Sequence, residues 1–156
     1  MDLLAGLKQE SVTVMDLSDY CTVDASASVR DALAQMQERH CRNALILESG
    51  KLAGVFTDRD VLLKVAGNND VLDLAVSELM TPNPVTLSKA ATAADALALM
   101  ARKHIRNVPI VEEDGSVVGN FTHFSVLDFL AEQFPDITLD SYPVYPRRFS
   151  RRRHGG

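Results

Sequence analysis

The chain has no run of apolar residues long enough to span a bilayer, and no charged-then-apolar leader with a small-residue cleavage site. These absences set aside membrane and secreted classes and make the cytoplasm the expected compartment. Cysteine is scarce: Cys21 and Cys41 stand alone, without metal-ligand spacing. Two thiols in a chain without a leader read as reduced side chains, which excludes a disulfide framework. The signatures of catalysis are missing too. There is no Gly-x-Ser-x-Gly, no Cys/His signature, no Walker phrase and no Gly-x-Gly-x-x-Gly, so an enzyme is not expected. The last ten residues, RRFSRRRHGG, contain no acid and five arginines, so a net charge of −5 leaves about −10 on the remainder. A body of that sign argues against non-specific nucleic-acid binding by the globular part.

What is present is a folded composition, 46% hydrophobic and 24% charged over 156 residues, enough for one ordinary domain or two very small ones. It is also written twice. SVRDALAQMQERHCRNALILE (Ser28–Glu48) and TAADALALMARKHIRNVPIVE (Thr92–Glu112) agree at ten of 21 positions with a constant shift of 64. Past Asp114 the shift becomes 65, and Gly50 and Gly54 align with Gly115 and Gly119. Each copy reads β-α-β-β-α. A short β stretch (CTV, VTL) precedes an amphipathic helix with its stripe at Val29, Ala32, Leu33 and Met36, or Ala93, Ala96, Leu97 and Met100. A compact apolar strand (ALIL, VPIV), a glycine turn, a second strand (LAGVF, VVGNF) and a second helix (DVLLKVA, SVLDFLAE) follow. The fold class is therefore α/β of the α+β kind. Residues 1–10 form an extension, 11–70 copy one, 71–134 copy two, and 135–156 a basic, disordered tail. Neither copy has enough apolar surface to be comfortable alone, so the two, packed sheet to sheet, are expected to share one core. The prolines of MTPNP (Met80–Pro84) forbid helix continuation and mark the way into copy two.

The phrases LMTPNPVTL, HIRNVPIVEEDGSVVG and GVFTDRD, the last of the form Gly-x-x-Thr-x-x-Asp, resemble the tandem CBS-domain pair, or Bateman module, over roughly Ser11 to Glu132. The resemblance implies a regulatory, non-catalytic binding module: two repeats with pseudo-twofold symmetry, clefts that accept an adenosine nucleotide of the AMP, ADP or ATP class, pairing into a homodimer, and a separate effector. It also implies composite clefts. The first would use Arg42, Val55, Thr57, Arg59 and Asp60 from copy one. Val85 and Thr86 with Asn107, Val108 and Pro109 from copy two would hold the adenine. The second would use Thr22, Asn43 and Ala44 with Arg106, Asn120, Thr122 and Ser125.

The residues themselves leave two readings of FTDRD open. Thr57 stands where a strand gives way to a helix, among unpaired N–H groups that suit phosphate. A carboxylate at Asp60 can accept both hydroxyls of a ribose diol, with Arg42 and Arg59 as counter-charges. Thr-x-x-Asp is equally close to a capping box. Copy two keeps the threonine (Thr122) but has Ser125 for the acid, with His123 and Phe124 in place of Asp58 and Arg59. The loss falls on the group a ribose needs most, so the first cleft is expected to keep the nucleotide chemistry and the second to be degenerate.

His40, beside Cys41, and His104 end the first helix of each copy and read as helix-terminal residues, not metal ligands. Met36 and Met100 read as core. The stretch Arg147–Arg153 is either a solvated tail or an electrostatic arm for nucleic acid, an acidic partner or the acidic body. Leu3, Leu4 and Leu7 suggest a short helix seeking an apolar surface. A ligand-free interaction scaffold and a nucleic-acid binder using the arginines stand as the alternatives to the nucleotide module.

Overall fold

A computed structural model describes residues 3–133; the basic tail proposed for 135–156 lies outside the described residues. The elements are α1 (Leu3–Gln9), β1 (Cys21–Asp24), α2 (Val29–Arg39), β2 (Asn43–Glu48), β3 (Lys51–Thr57), α3 (Asp58–Asp60), β4 (Thr81–Pro82), β5 (Leu87–Ser88), α4 (Ala93–Lys103), β6 (Asn107–Val111), β7 (Val117–Thr122) and α5 (His123–Gln133). Both copies thus have the order β-α-β-β-α. One sheet has the order β1-β2-β3-β4 and the other β5-β6-β7.

The copies agree in register as well as in order. Val23 faces Ile46 in the parallel pair β1–β2, and Leu87 faces Ile110 in β5–β6. Asn43 pairs with Thr57 and Asn107 with Thr122, and each hairpin carries an irregularity at the same place, after Ile46 and after Ile110. Local chemistry sets the boundaries. The Ser28 hydroxyl accepts from Asp31 N–H at 3.0 Å to start α2, and Thr92 and Asp95 form a reciprocal capping box at the start of α4. Both helices stop at a histidine in the left-handed region, His40 (φ 51°) and His104 (φ 54°). The β2–β3 turn puts Ser49 and Gly50 both at positive φ, the condition of a tight type I′-like hairpin.

The copies do not share one core, because each sheet buries its own helix stripe: Val29, Ala32 and Met36 lie in one core and Ala93, Ala96 and Met100 in the other, as their spacing requires. Phe56 and Phe121, from the two copies of the repeated phrase, are fully buried at equivalent places. Cys21 and Cys41 lie in the first core as free thiols. A hydrogen bond shared with Cys41 and burial push the Cys21 thiol far above the ordinary range, so it stays protonated.

Two local expectations change. The second helix of copy one is only the three-residue α3, widening into a π turn over Val61–Val65, whereas α5 has eleven residues. The Ala66 N–H bonds Val61 O at 2.9 Å, and Gly67 at φ 79° then turns the chain away. MTPNP is more than a passage. Thr81–Pro82 adds β4 to the edge of the first sheet, with Gly54 facing Pro82 and Val55 facing Thr81. An edge is where a residue without an N–H can sit in a sheet.

Each repeat is completed by the segment that leads into the other. Val12 N–H bonds Ala91 O at 3.0 Å, and its counterpart Val76 N–H bonds Ala27 O at 2.7 Å. Ser11 bridges Thr92, and Ala75 bridges Ser28. Val12 and Met15, at the start of copy one and ahead of β1, therefore lie in the core of copy two, while Val76 and Leu79, at the start of copy two and ahead of β5, lie in the core of copy one. The reciprocity defines an approximate twofold between the repeats. Leu7 of α1 joins the second core, against α4, which explains why Leu99 is buried where copy one has the exposed Gln35.

The repeated glycines mark where the lead-in segments cross. A Cβ on Gly119 would lie 2.5 Å from Leu17 Cβ, and one on Gly54 would meet Met80 and come within 2.9 Å of Thr81 O. Gly119→Ala and Gly54→Ala are each expected to lower stability by about 1–3 kcal/mol, the usual cost of overpacking. Gly6→Ala, with nothing within 4 Å, should be neutral or slightly stabilising. Urea unfolding of the three variants checks this; equal midpoints would show that the crossings are not tight.

Candidate functional site

At the first phrase the carboxylate of Asp60 is drawn two ways. Its Oδ2 accepts from Thr57 N–H at 2.9 Å and from Thr57 Oγ1 at 3.2 Å, while Asp60 N–H reaches Thr57 Oγ1 at 3.4 Å, completing a capping box. Its Oδ1 is 2.9 Å from Lys64 Nζ, and only 13% of the Asp60 side chain is exposed. Lys64 Nζ also donates to Leu79 O at 2.7 Å, so the acid is linked through one ammonium to the segment leading into copy two. The capping reading is thus present in the structure, and the acid does not face open water.

The second phrase makes the equivalent tie without charge. Ser125 Oγ donates to Asp16 O at 2.6 Å and accepts from Thr122 N–H at 3.0 Å. Ser125 is 2% exposed and Thr122 is 3% exposed. The hydroxyl is therefore consumed by the backbone of the lead-in segment. His123, in the place of Asp58, has its Nδ1 buried without a hydrogen-bond partner, and its ring stacks 4.1 Å from that of Phe124.

The strands expected to hold an adenine also differ between copies. In copy one Cys21 and Thr22 pair with Ala44 and Leu45. Their counterparts in copy two, Val85 and Thr86 against Val108 and Pro109, are outside the ladder, because β5 begins only at Leu87. The cause lies in Pro109. Asn120 N–H is spent on Leu17 O at 2.9 Å, so the facing pair Pro109–Asn120 is one that exchanges no hydrogen bonds. Pro109 must then turn its backbone nitrogen toward the β5 side, where Leu45 has an N–H to give and proline has none. The parallel ladder stays open alongside Pro84–Thr86. Val85 is 38% exposed there, and Thr86 is half-buried. Val108, Pro109 and Ala44 are core side chains, so any ligand contact from them is through the backbone.

The remaining predicted residues fall into three settings. Arg42 keeps its carbonyl on Asp58 N–H at 3.0 Å, but its guanidinium lies 4.8 Å from the centre of the Phe124 ring, on the other repeat. Arg59 and Arg106, which the twofold places in the roles of Phe124 and Arg42, are both exposed. Asn43 and Asn120 meet at one backbone carbonyl: Asn43 Nδ2 donates to Asp19 O at 3.3 Å and Asn120 Nδ2 at 3.1 Å. Asn107 Nδ2 donates to Asn120 Oδ1 at 3.4 Å. Asparagines of both repeats are thereby joined across residues 16–20. Val55 is buried opposite Thr81. Thr22 is exposed and lines an open groove of about 360 Å³ with Asp24, Asp31 and Gln35, all from copy one. Lys64, Asp19 and Asp16 were not expected at the site. Only Lys64 carried a signal, its i,i+4 spacing from Asp60; the other two act here largely through backbone carbonyls, which side-chain patterns do not reveal.

Two β-α-β-β-α units completed by exchanged segments, one of them carrying an acid-bearing phrase, define the class. The family model described as CBS domain matches residues 14–67 and 76–132, and the chain belongs to the CBS-domain family. A curated relative, inosine-5'-monophosphate dehydrogenase of Korarchaeum cryptofilum, is 32% identical over 124 residues, covering 80% of this chain and 25% of that protein. The chain spans only a quarter to just under half the length of the first curated relatives it matches. A solved structure of an uncharacterized conserved protein from Pyrococcus horikoshii is 27% identical with a TM-score of 0.70, covering 78% of this chain and 92% of that one. The structure of CBSX2 in complex with AMP shares the fold, with a TM-score of 0.69 at 24% identity, over 80% of this chain and 98% of that one. Among the described residues no helix is long and apolar enough to cross a membrane.

Ser125→Ala leaves the Asp16 carbonyl and the Thr122 N–H without their side-chain partner. It is expected to cost about 1–3 kcal/mol of stability, the range for an orphaned buried group. Chemical denaturation checks this, and an unchanged midpoint would show that the serine clasp is incidental.

Proposed function

We propose that the chain is a regulatory module that binds one adenosine nucleotide per chain at the first cleft and signals its occupancy to a separate effector. A homodimer is part of this reading. The observation that carries it is the asymmetry of the two phrases. Asp60 holds one carboxylate oxygen toward an ammonium that a ligand can replace, whereas Ser125 spends its hydroxyl on a backbone carbonyl. A carboxylate is acceptor-only and suits the vicinal hydroxyls of a ribose. The open ladder beside Pro109 supports the same cleft, since a flat base can use backbone groups that the sheet leaves unpaired. The fold shared with CBSX2, whose structure contains AMP, supports the ligand class.

Capping does not compete with this function. Oδ2 keeps the short helix and fixes the rotamer of the acid, and Oδ1 is the oxygen available for exchange. Asp60→Asn retains an acceptor for Thr57 N–H and removes the charge. Calorimetric titration with AMP, ADP, ATP and S-adenosylmethionine is expected to give one site per chain. Asp60→Asn should bind the preferred nucleotide about ten- to a hundredfold more weakly, the equivalent of a charge-assisted hydrogen bond. Ser125→Ala, kept below its unfolding transition, should bind as the wild type does. Equal losses in the two variants would overturn the asymmetry; no binding by the wild type would leave the interaction scaffold as the better reading.

A further inference from the structure

Lys64 occupies a position the nucleotide reading does not use. Its ammonium makes two contacts at once: 2.9 Å to Asp60 Oδ1 and 2.7 Å to Leu79 O. The first is the acid proposed to hold the ribose. The second belongs to the segment Val76–Met80, which leads into copy two while packing in the core of copy one. In copy two the phrase-closing residue ties to its crossing segment directly, Ser125 Oγ to Asp16 O at 2.6 Å, and the residue equivalent to Lys64 is Phe129, packed against the second core. Each repeat thus ties its phrase to its crossing segment, at carbonyls one residue out of register, since Leu79 corresponds to Met15 and not to Asp16. In copy two the link is neutral and buried. In copy one it runs through a lysine whose side chain is 40% exposed.

From this difference we propose that Lys64 is the residue that couples occupancy of the first cleft to the segment leading into copy two, and that it sets affinity by competing with the ligand for Asp60. The proposal rests on the nucleotide reading above. Hydroxyls arriving at Oδ1 take the position the ammonium holds. Deprived of its counter-charge, a flexible and partly solvated ammonium retains only a neutral carbonyl, for which water competes on nearly equal terms. Leu79 O then loses its donor. The turn above it keeps the bonds of Leu79 N–H and Met80 N–H to Val76 O at 3.0 and 2.9 Å, and without the lysine it opens more readily. Thr81, two residues on from Leu79, is paired to Val55 on β3, so the opening is confined between a core contact and a sheet contact and is passed along the chain toward β5.

The test compares the wild type, Lys64→Met and Lys64→Arg by hydrogen–deuterium exchange and calorimetry, with and without AMP. Without ligand, Lys64→Met should exchange several-fold faster at the amides of Leu79 and Met80, while Lys64→Arg, which keeps the charge, stays near wild type. AMP should accelerate the same amides in the wild type and change them little in Lys64→Met. Lys64→Met should also bind AMP on the order of three- to tenfold more tightly, the worth of a partly screened ion pair removed from competition. Unchanged exchange in ligand-free Lys64→Met overturns the link to Leu79, and equal or weaker AMP affinity overturns the competition. Should AMP fail to bind the wild type, the nucleotide reading and the coupling fall together, and the ligand-free comparison still decides whether the link exists.

Discussion

Two backbone hydrogen bonds, Val12 N–H to Ala91 O and Val76 N–H to Ala27 O, state the constraint on which the rest of the structure depends. Each core takes in the opening stretch of the other copy, the residues ahead of that copy's first strand, so neither core is complete within its own stretch of sequence. A unit of about 60 residues buries too little surface to be comfortable alone. Exchanging segments supplies the missing apolar side chains, Val12 and Met15 to one core and Val76 and Leu79 to the other. It also fixes how the repeats face one another. The crossing segments must lie flat on β3 and β7, which is why glycine recurs at 54 and 119, where neither backbone is in the left-handed region. What these positions require is close approach; conformational freedom is needed at Gly50 and Gly67.

On this symmetric frame the chemistry is asymmetric, and a few substitutions account for it. Proline at 109, where copy one has leucine, removes an N–H from the parallel ladder and leaves Val85 and Thr86 unpaired. Serine at 125, where copy one has Asp60, exchanges a charged acceptor for a hydroxyl that reaches the lead-in backbone directly. Phenylalanine at 124, where copy one has Arg59, gives Arg42 a ring to stack on. The first opens the copy-two sheet beside Val85 and Thr86, the second replaces a charged acceptor with a neutral hydroxyl, and the third puts an aromatic face under an arginine of copy one.

The sequence made the frame legible because duplication is a comparison of the chain with itself. Val29, Ala32 and Met36 bury as their spacing indicates, and the glycine turns fall where expected. The phrase Gly-x-x-Thr-x-x-Asp was readable both as a cap and as a ligand-binding element, and the structure contains the cap. What could not be read was partnership. Periodicity says that Val12 and Val76 are to be buried but not in which core, since the apolar demand is the same in both. The shortening of the last helix of copy one was hidden because VLLKVA has a helical apolar pattern; its end depends on Gly67 and on where the chain must go next. Leu62 and Leu63 are exposed in consequence, although their hydrophobicity alone would place them inside. Asp19 was invisible for a different reason: the group shared by Asn43 and Asn120 is its carbonyl, which every residue has.

The arrangement at Asp60 also shows how one residue could serve as a cap and, on the proposed reading, as a ligand site. A cap needs one acceptor oxygen, and a carboxylate has two. The bonds from Thr57 settle the rotamer and leave Oδ1 oriented before a ligand arrives, so little side-chain entropy remains to be lost on binding. The opposing cost is the ion pair with Lys64. That cost is modest, because the lysine is partly solvated and regains hydration when displaced. A fully buried partner would make the same acid unavailable, as the 2% exposure of Ser125 illustrates in the other repeat. On the proposed reading, the difference between a site and a clasp in this fold comes down to whether the group that holds the lead-in segment can be exchanged with solvent, a condition that copy one would meet through one lysine.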